Sequence, residues 1–273
     1  MAEESLVGKV RDGIKGVLKG TGEVVSGTTG VVRDVATNTL KDVSDVAGSV
    51  AGTTSSIVRG ALGAVEDVGT GLVTTVKGVV VGVLQGVGEV AAVTVGIVSD
   101  TVRAAFQGTQ EMGEDAAKTA GAVAEGVISA VKGTGIGVAE AATALGRSAL
   151  QGAKDVSGDV MTVASNTVSG AASGAAEAGS DVLIAIRGTA KGVIQGAGEI
   201  GSDISAAATA ALSGALDGAK KVGTSAEDAV SAAAAGALEA AESIGEKAVH
   251  AVRDVAASGV GGVKAVLKGE QET

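Results

Sequence analysis

Residues 76–90 read VKGVVVGVLQGVGEV. The phrase returns at 186–200 as IRGTAKGVIQGAGEI and at 10–24 as VRDGIKGVLKGTGEV. The starting points, Val10, Val76 and Ile186, are separated by multiples of eleven. Cut into elevens from Val10, with positions labelled a to k, the chain runs to Thr273 as 24 blocks without insertion or deletion. The nine residues before Val10 continue the same frame, with Leu6 at h and Val7 at i. Position a is Val, Ala, Thr or Ile in every block. Positions a, d, e, h and i make 120 sites that hold only two charges, Glu227 and Glu270, out of 49 in residues 10–273. The spacing 3, 1, 3, 1 is that of a helix face and not the alternation of a strand.

Eleven residues over three turns sustain a nearly straight or slightly right-handed supercoil. The fold class expected is therefore all-α: a very long, near-continuous amphipathic helix of 11-residue repeats, in a parallel multi-helix coiled coil or helical tube. Unbroken, the repeat body 10–273 would span roughly 400 Å at about 1.5 Å per residue. No proline interrupts it. The polar stretches QGTQEMGEDAAKTAG (107–121) and LDGAKKVGTSAED (216–228) are the two places where a turn fits. Any turn there must keep the eleven-residue count. Residues 1–9 form a lead-in to the repeat body 10–273, whose core is Val-rich to about 119 and Ala-rich over about 120–229. The first ten a positions hold seven Val and three Thr, the next ten eight Ala. Smaller core residues allow closer helices, so a tube would taper.

Composition agrees with a quasi-one-dimensional protein. The 273 residues include 45 Gly and one Phe, and no Pro, Cys, Trp or Tyr. A globular domain of this size normally fills its centre with aromatics. A net charge of −10 argues against nucleic acid and against electrostatic capture by anionic membranes. The mean hydropathy of +0.40 argues against simple disorder. MAEESLVGKV at the start lacks a basic segment followed by an apolar one. That reading expects no signal peptide, hence a cytoplasmic or membrane-associated protein.

Glycine inside a helix costs about 1 kcal/mol relative to Ala, so this helix needs partners along its length. Glycine occupies position g in 12 of the 24 blocks and k in 8. The pairs Gly16/Gly20, Gly82/Gly86, Gly170/Gly174, Gly192/Gly196 and Gly214/Gly218 have the small-xxx-small spacing that lets a second backbone approach closely. The opposite edge, position i, carries large knobs, among them Leu18, Leu84, Phe106 and Ile194. Position b beside i holds nine basic residues among its 11 charges, and position c beside g holds twelve acidic among 13. Identical helices laid parallel would set knob into glycine hole and base against acid. Antiparallel ones would oppose like charges. The expected partner is therefore the chain itself, as a parallel homo-oligomer. Its apolar face or lumen would be lined by Val10, Val17, Val76, Val83, Val87, Val98, Ile186 and Val193.

VVSGTTGVVRDVATNTLKD (24–42) and SNTVSGAASGAAEAG (165–179) resemble the eleven-residue repeats of perilipin-type lipid-droplet coat proteins. KGVLKGTGEVVSGTTGVV (15–32) is similar to the synuclein repeat, and the whole chain resembles the general class of hendecad coiled coils. The lipid-coat resemblance implies amphipathic helices that order on a lipid surface. Two features depart from it: lipid-surface helices carry basic residues at both edges, whereas one edge here is acidic, and the net charge is −10. Late-embryogenesis 11-mers match less well, since this chain is far more apolar. GVVVGVLQGVGEVAAVTVGIVS (78–99) carries one charge, Glu89, and is long enough for a bilayer span if bundling tolerates the carboxylate.

Nothing in the sequence points to catalysis. His250, the only histidine, falls at polar position j. With it alone, and no Cys, a transition-metal site is not expected. Successive c carboxylates on one helix lie about 16 Å apart, too far to share a calcium ion. KGTGIG (132–137) lacks the pattern of a phosphate loop, and SAVK (129–132) lacks the companion motifs of a serine nucleophile. Phe106 and Met161 at i and Met112 at d read as packing. The expected function is a non-enzymatic, self-assembling structural tube or filament whose interior takes up lipid or fatty acyl chains as the only bound cofactor. The alternative is an amphipathic helix coating lipid droplets, storage granules or membranes. A bilayer-embedded bundle and an ice-binding or desiccation protein complete the range.

Overall fold

A computed structural model describes the backbone of residues 2–21, 24–44, 50–68 and 72–266, and the side-chain surroundings of 6–16, 28–41, 52–67 and 75–266. Within these residues the chain is all-helical, in twelve helices: α1 (Ala2–Thr21), α2 (Val24–Ser44), α3 (Val50–Val68), α4 (Leu72–Val90), α5 (Val95–Glu111), α6 (Ala116–Ala130), α7 (Val138–Asp155), α8 (Val160–Ala178), α9 (Val182–Ile200), α10 (Ile204–Val222), α11 (Ala226–Ile244) and α12 (Glu246–Ser258). The near-continuous helix expected from the periodicity is not what forms. The chain turns back after about every second block.

After α5, glycine and not proline makes most of the breaks. Residues 113, 135, 157, 179, 201, 223 and 245 all have positive φ, and each falls exactly two blocks after the one before. Six are Gly, which accepts the left-handed conformation that ends a helix, and the seventh is Ser157 at φ 54°. In most of these turns the next amide bonds back to a carbonyl five positions earlier, as Ser180 N–H does to Ala175 and Ser202 N–H to Ala197. Two positions past the positive φ the following helix starts on its cap. Asp115, Asp159, Asp181, Asp203 and Ser225 each accept a backbone N–H of the new first turn. The unit is thus two hendecads, so each of these turns preserves the frame. Stretches 107–121 and 216–228 do turn, at Gly113 and Gly223. Stretch 78–99 is also split: α4 ends at Val90 and α5 starts on Thr94. Among the described residues no helix is long and apolar enough to cross a membrane.

From α1 to α11 each helix packs mainly on a helix two places away, α7 on α9, α6 on α8, α9 on α11 and so on, while α12 packs mainly on α11. Odd helices make one layer and even helices the other. Sequential helices run antiparallel, so neighbours within a layer run parallel. The hendecad face is buried between the layers in two core clusters, one running from Val10 and Ile14 through Val83 and Phe106 to Leu145, the other holding Ile194, Leu212 and Val230. Several buried hydroxyls are satisfied within their own helix: Thr101, Thr167 and Thr189 donate to the carbonyl four positions back at 2.7–2.8 Å, while Thr37 of α2 donates to Glu89 of α4 at 3.1 Å. At the far end α12 is followed by a tight turn closed by Val260 and Val263.

Candidate functional surface

Glycine decides how near parallel neighbours come. A Cβ built on Gly188 would lie 2.8 Å from the Ala139 carbonyl oxygen, one on Gly196 2.9 Å from that of Arg147, and one on Gly126 3.0 Å from that of Lys77. At Gly192 and Gly214 it would sit still deeper in the carbonyls of Thr143 and Ser165. Every one of these pairs joins a helix to the one two places before it, at the same offset in the frame. Between α2 and α4, Gly82 and Gly86 lie over Thr29 and Arg33 as closely but four residues further along the frame, with a Cβ 2.6 and 2.8 Å from their oxygens. Such approach leaves no room for a methyl group.

Large side chains fill the space beside these contacts. Leu62, Phe106 and Leu150, all at position i, point into Gly108, Gly152 and Gly196, all at k of the next helix in the layer. Leu84 and Ile194 are buried as well. So are Val10, Val76, Val83, Val87, Val98, Ile186 and Val193. They meet side chains and fill the core. The side chains of Val17, Leu18 and Gly20 in α1 lie outside the described residues. Gly218 packs on Ala172. Gly16 is the exception: it is exposed, with no atom of the described residues within 4 Å of where a Cβ would stand.

Charges line the outer edges as a ladder between parallel neighbours. Arg11 grips Asp67 with two hydrogen bonds, at 2.6 and 2.8 Å, and Lys15 adds a third at 3.1 Å. Arg59 pairs with Glu111, Arg147 with Glu199 and Lys191 with Glu239, at 2.5–2.6 Å. Lys77 bridges Glu125 and Glu177 and so ties α4, α6 and α8 together. Hydrogen bonds from Arg11 and then Lys15 hold the Asp67 carboxyl well below its usual range. Lys191 does the same for Glu239. Burial pulls the Lys77 ammonium down, but its hydrogen bonds to Glu125 and Glu177 outweigh that, and the net shift is upward. These pairs are largely exposed, worth about 0–1 kcal/mol each, and act chiefly on register. Gln110, Lys132 and Lys154 donate to the carbonyls of Val156, Ala178 and Ile200, so the end of one helix caps its parallel neighbour.

Three further placements complete the surface. His250 is exposed on α12, Met112 and Met161 are half-buried, and Phe106 is in the core. Among the described residues no cluster of three His, Cys, Asp or Glu side chains is placed to hold a metal. The edges of α1 and α2 that face away from α3 and α4 carry Gly8, Gly13, Gly16 and Gly30, each facing open space among the described residues.

Sequence reasoning missed most of the turns. Their signal is a Gly-x-Asp or related triplet recurring in every second block: GED (113–115), SGD (157–159), GSD (179–181), GSD (201–203), GTS (223–225). Comparison with protein-family models and with curated proteins found no match.

Proposed function

We propose that this chain is a non-enzymatic structural protein that assembles with itself by adding further copies to its own helix array. One observation carries the reading. The glycine edge that is filled by a parallel neighbour at Gly60, Gly82, Gly126, Gly170 and Gly214 stands open, among the described residues, at Gly16 on α1. Repeat arrays stay single through polar capping units, and at Gly16 α1 carries the residue type of a filled repeat edge. The apolar face is already buried within one chain, so association acts at the ends of the array and not along its length.

Light scattering after size separation, from about 1 to several hundred micromolar, tests this. The wild-type chain is expected to grow in mass with concentration. Gly16→Leu is expected to stay monomeric with unchanged helicity. A wild type that stays monomeric throughout defeats the reading.

A second reading, the lipid coat, is favoured by the turns. They keep the hendecad frame, so opening them would lay the same apolar face on a lipid surface without changing its register. Flotation with neutral phospholipid vesicles tests it: bound protein supports the coat, and protein left wholly at the bottom of the gradient argues against it.

A further inference from the structure

We infer that the outer edge of α11 is the acceptor for α1 of a second copy, and that residues 259–266 of the same chain compete for it. The inference rests on the self-assembly reading and names its two surfaces.

The first argument is register. The array advances two blocks per helix, and from α6 to α11 its parallel contacts set a g glycine on the backbone at position b of the helix two places before, as Gly192 on Thr143, Gly214 on Ser165 and Gly236 on Arg187, whereas Gly60 on Val7 and Gly82 on Thr29 meet position i. A second copy that continues the odd layer in the same frame brings its Gly16 onto Ser231 of α11, which is also at b. Joining α1 to α11 keeps both helices parallel and sets a glycine edge on the opposite kind of edge. Joining two α1 edges would force like edges together.

Charge gives the second argument. Glu227 is one of only two charged residues on the apolar positions of the whole repeat body. It stands at position i, where the blocks at the same height in α5, α7 and α9 carry Val95, Ala139 and Leu183, and it is exposed with no ion pair among the described residues. Knobs at i meet position k of the next helix in the layer, as Leu62 meets Gly108 and Leu150 meets Gly196. In the same continued frame the residue that reaches Glu227 is Lys9. It occupies k, where Gly is common, and it is exposed without an ion pair among the described residues. The two charges complement each other across a junction that a single chain does not contain.

The third argument is occupancy. The tail beyond α12 runs back over this place. Val266 N–H donates to Ser231 Oγ at 2.8 Å, Ala265 N–H to the Ala256 carbonyl at 3.4 Å, and Gly261 lies against Leu216. Val266 itself remains 56% exposed. The tail therefore holds the edge lightly, at the residue that Gly16 would cover.

Two sets of full-chain variants test the inference by light scattering. Lys9→Glu and Glu227→Lys singly are expected to raise the concentration for half-assembly by about fivefold to tenfold, and together to restore it. Ser231→Cys with Val266→Cys, in a chain otherwise free of cysteine, ties the tail down when oxidised. Oxidation is expected to stop assembly and reduction to release it. If the wild type assembles but neither the charge exchange nor the disulfide changes its assembly, the acceptor is elsewhere and this inference falls while self-assembly stands. If no form assembles, both fall.

Discussion

Two glycines at the same hendecad position should respond to alanine with opposite sign. Gly16 and Gly192 both stand at g, inside helices α1 and α9. A methyl group at Gly16 meets nothing among the described residues, so Gly16→Ala gains only helix propensity, about 0.5–1 kcal/mol. At Gly192 the methyl would press on the Thr143 carbonyl and the Arg147 amide nitrogen. Both are backbone in a packed helix, and neither can swing aside as a side-chain tip would. The helices α7 and α9 must then separate, and overpacking of this kind costs about 1–3 kcal/mol. Less the same propensity gain, Gly192→Ala should destabilise by about 1–2 kcal/mol. Urea unfolding followed by circular dichroism reads both, with the slope compared to check that the transition keeps its character. If Gly192→Ala stabilises as Gly16→Ala does, α7 and α9 are not in contact there, and the parallel-layer packing is wrong.

Other outcomes follow from the turns and the ladder. Ser157 holds φ at 54° where six equivalent positions use Gly, so Ser157→Gly should stabilise by about 1 kcal/mol in thermal melts, and Gly201→Ala should cost about as much. Asp181 accepts the amides of Leu183 and Ile184 at 2.9 and 3.1 Å; Asp181→Ala should lower stability by about 1 kcal/mol in urea titration, and Asp181→Asn by much less. Asp67, Asp159 and Glu239 have folded-state pKa values below their unfolded ones. Their contribution is therefore complete above the unfolded carboxylate values of about 3.9–4.3 and is lost as pH falls through the depressed folded values. The melting temperature should hold from neutral pH to about 5 and then fall, and Asp67→Asn should flatten that fall.

How much of this was legible in the sequence depends on which force wrote it. Periodic burial writes itself in every block, so the helical face and its glycine and leucine edges stand out along the chain. Basic residues at b and acidic ones at c likewise imply a parallel neighbour, and Arg11 against Asp67 and Arg33 against Glu89 have that geometry within one chain. What periodicity could not say is whether the neighbour is another chain or the same one. That depends on turns, and the turns obey the period. Gly179 and Asp181 sit at e and g, where Gly and small residues also serve packing, so a helix end looks like one more repeat. Only the recurrence of the triplet in alternate blocks separates them. Gly113 and Gly223 drew notice because polar residues surround them, while Gly201, between Ile200 and Ser202, did not. The open edge at Gly16 was equally hidden, since its residues match those of filled edges and only the structure shows the vacant side.

The most direct test of the array is a distance between Thr143→Cys and Gln195→Cys, spin-labelled in the otherwise cysteine-free chain. The two residues belong to different helices and line one groove between α7 and α9. A continuous helix would hold them about 78 Å apart. Parallel helices with axes about 8–10 Å apart bring the labels within roughly 20 Å. A short distance, measured at a concentration where the chain is monomeric, is what the folded array predicts. A distance near that of the continuous helix would contradict it.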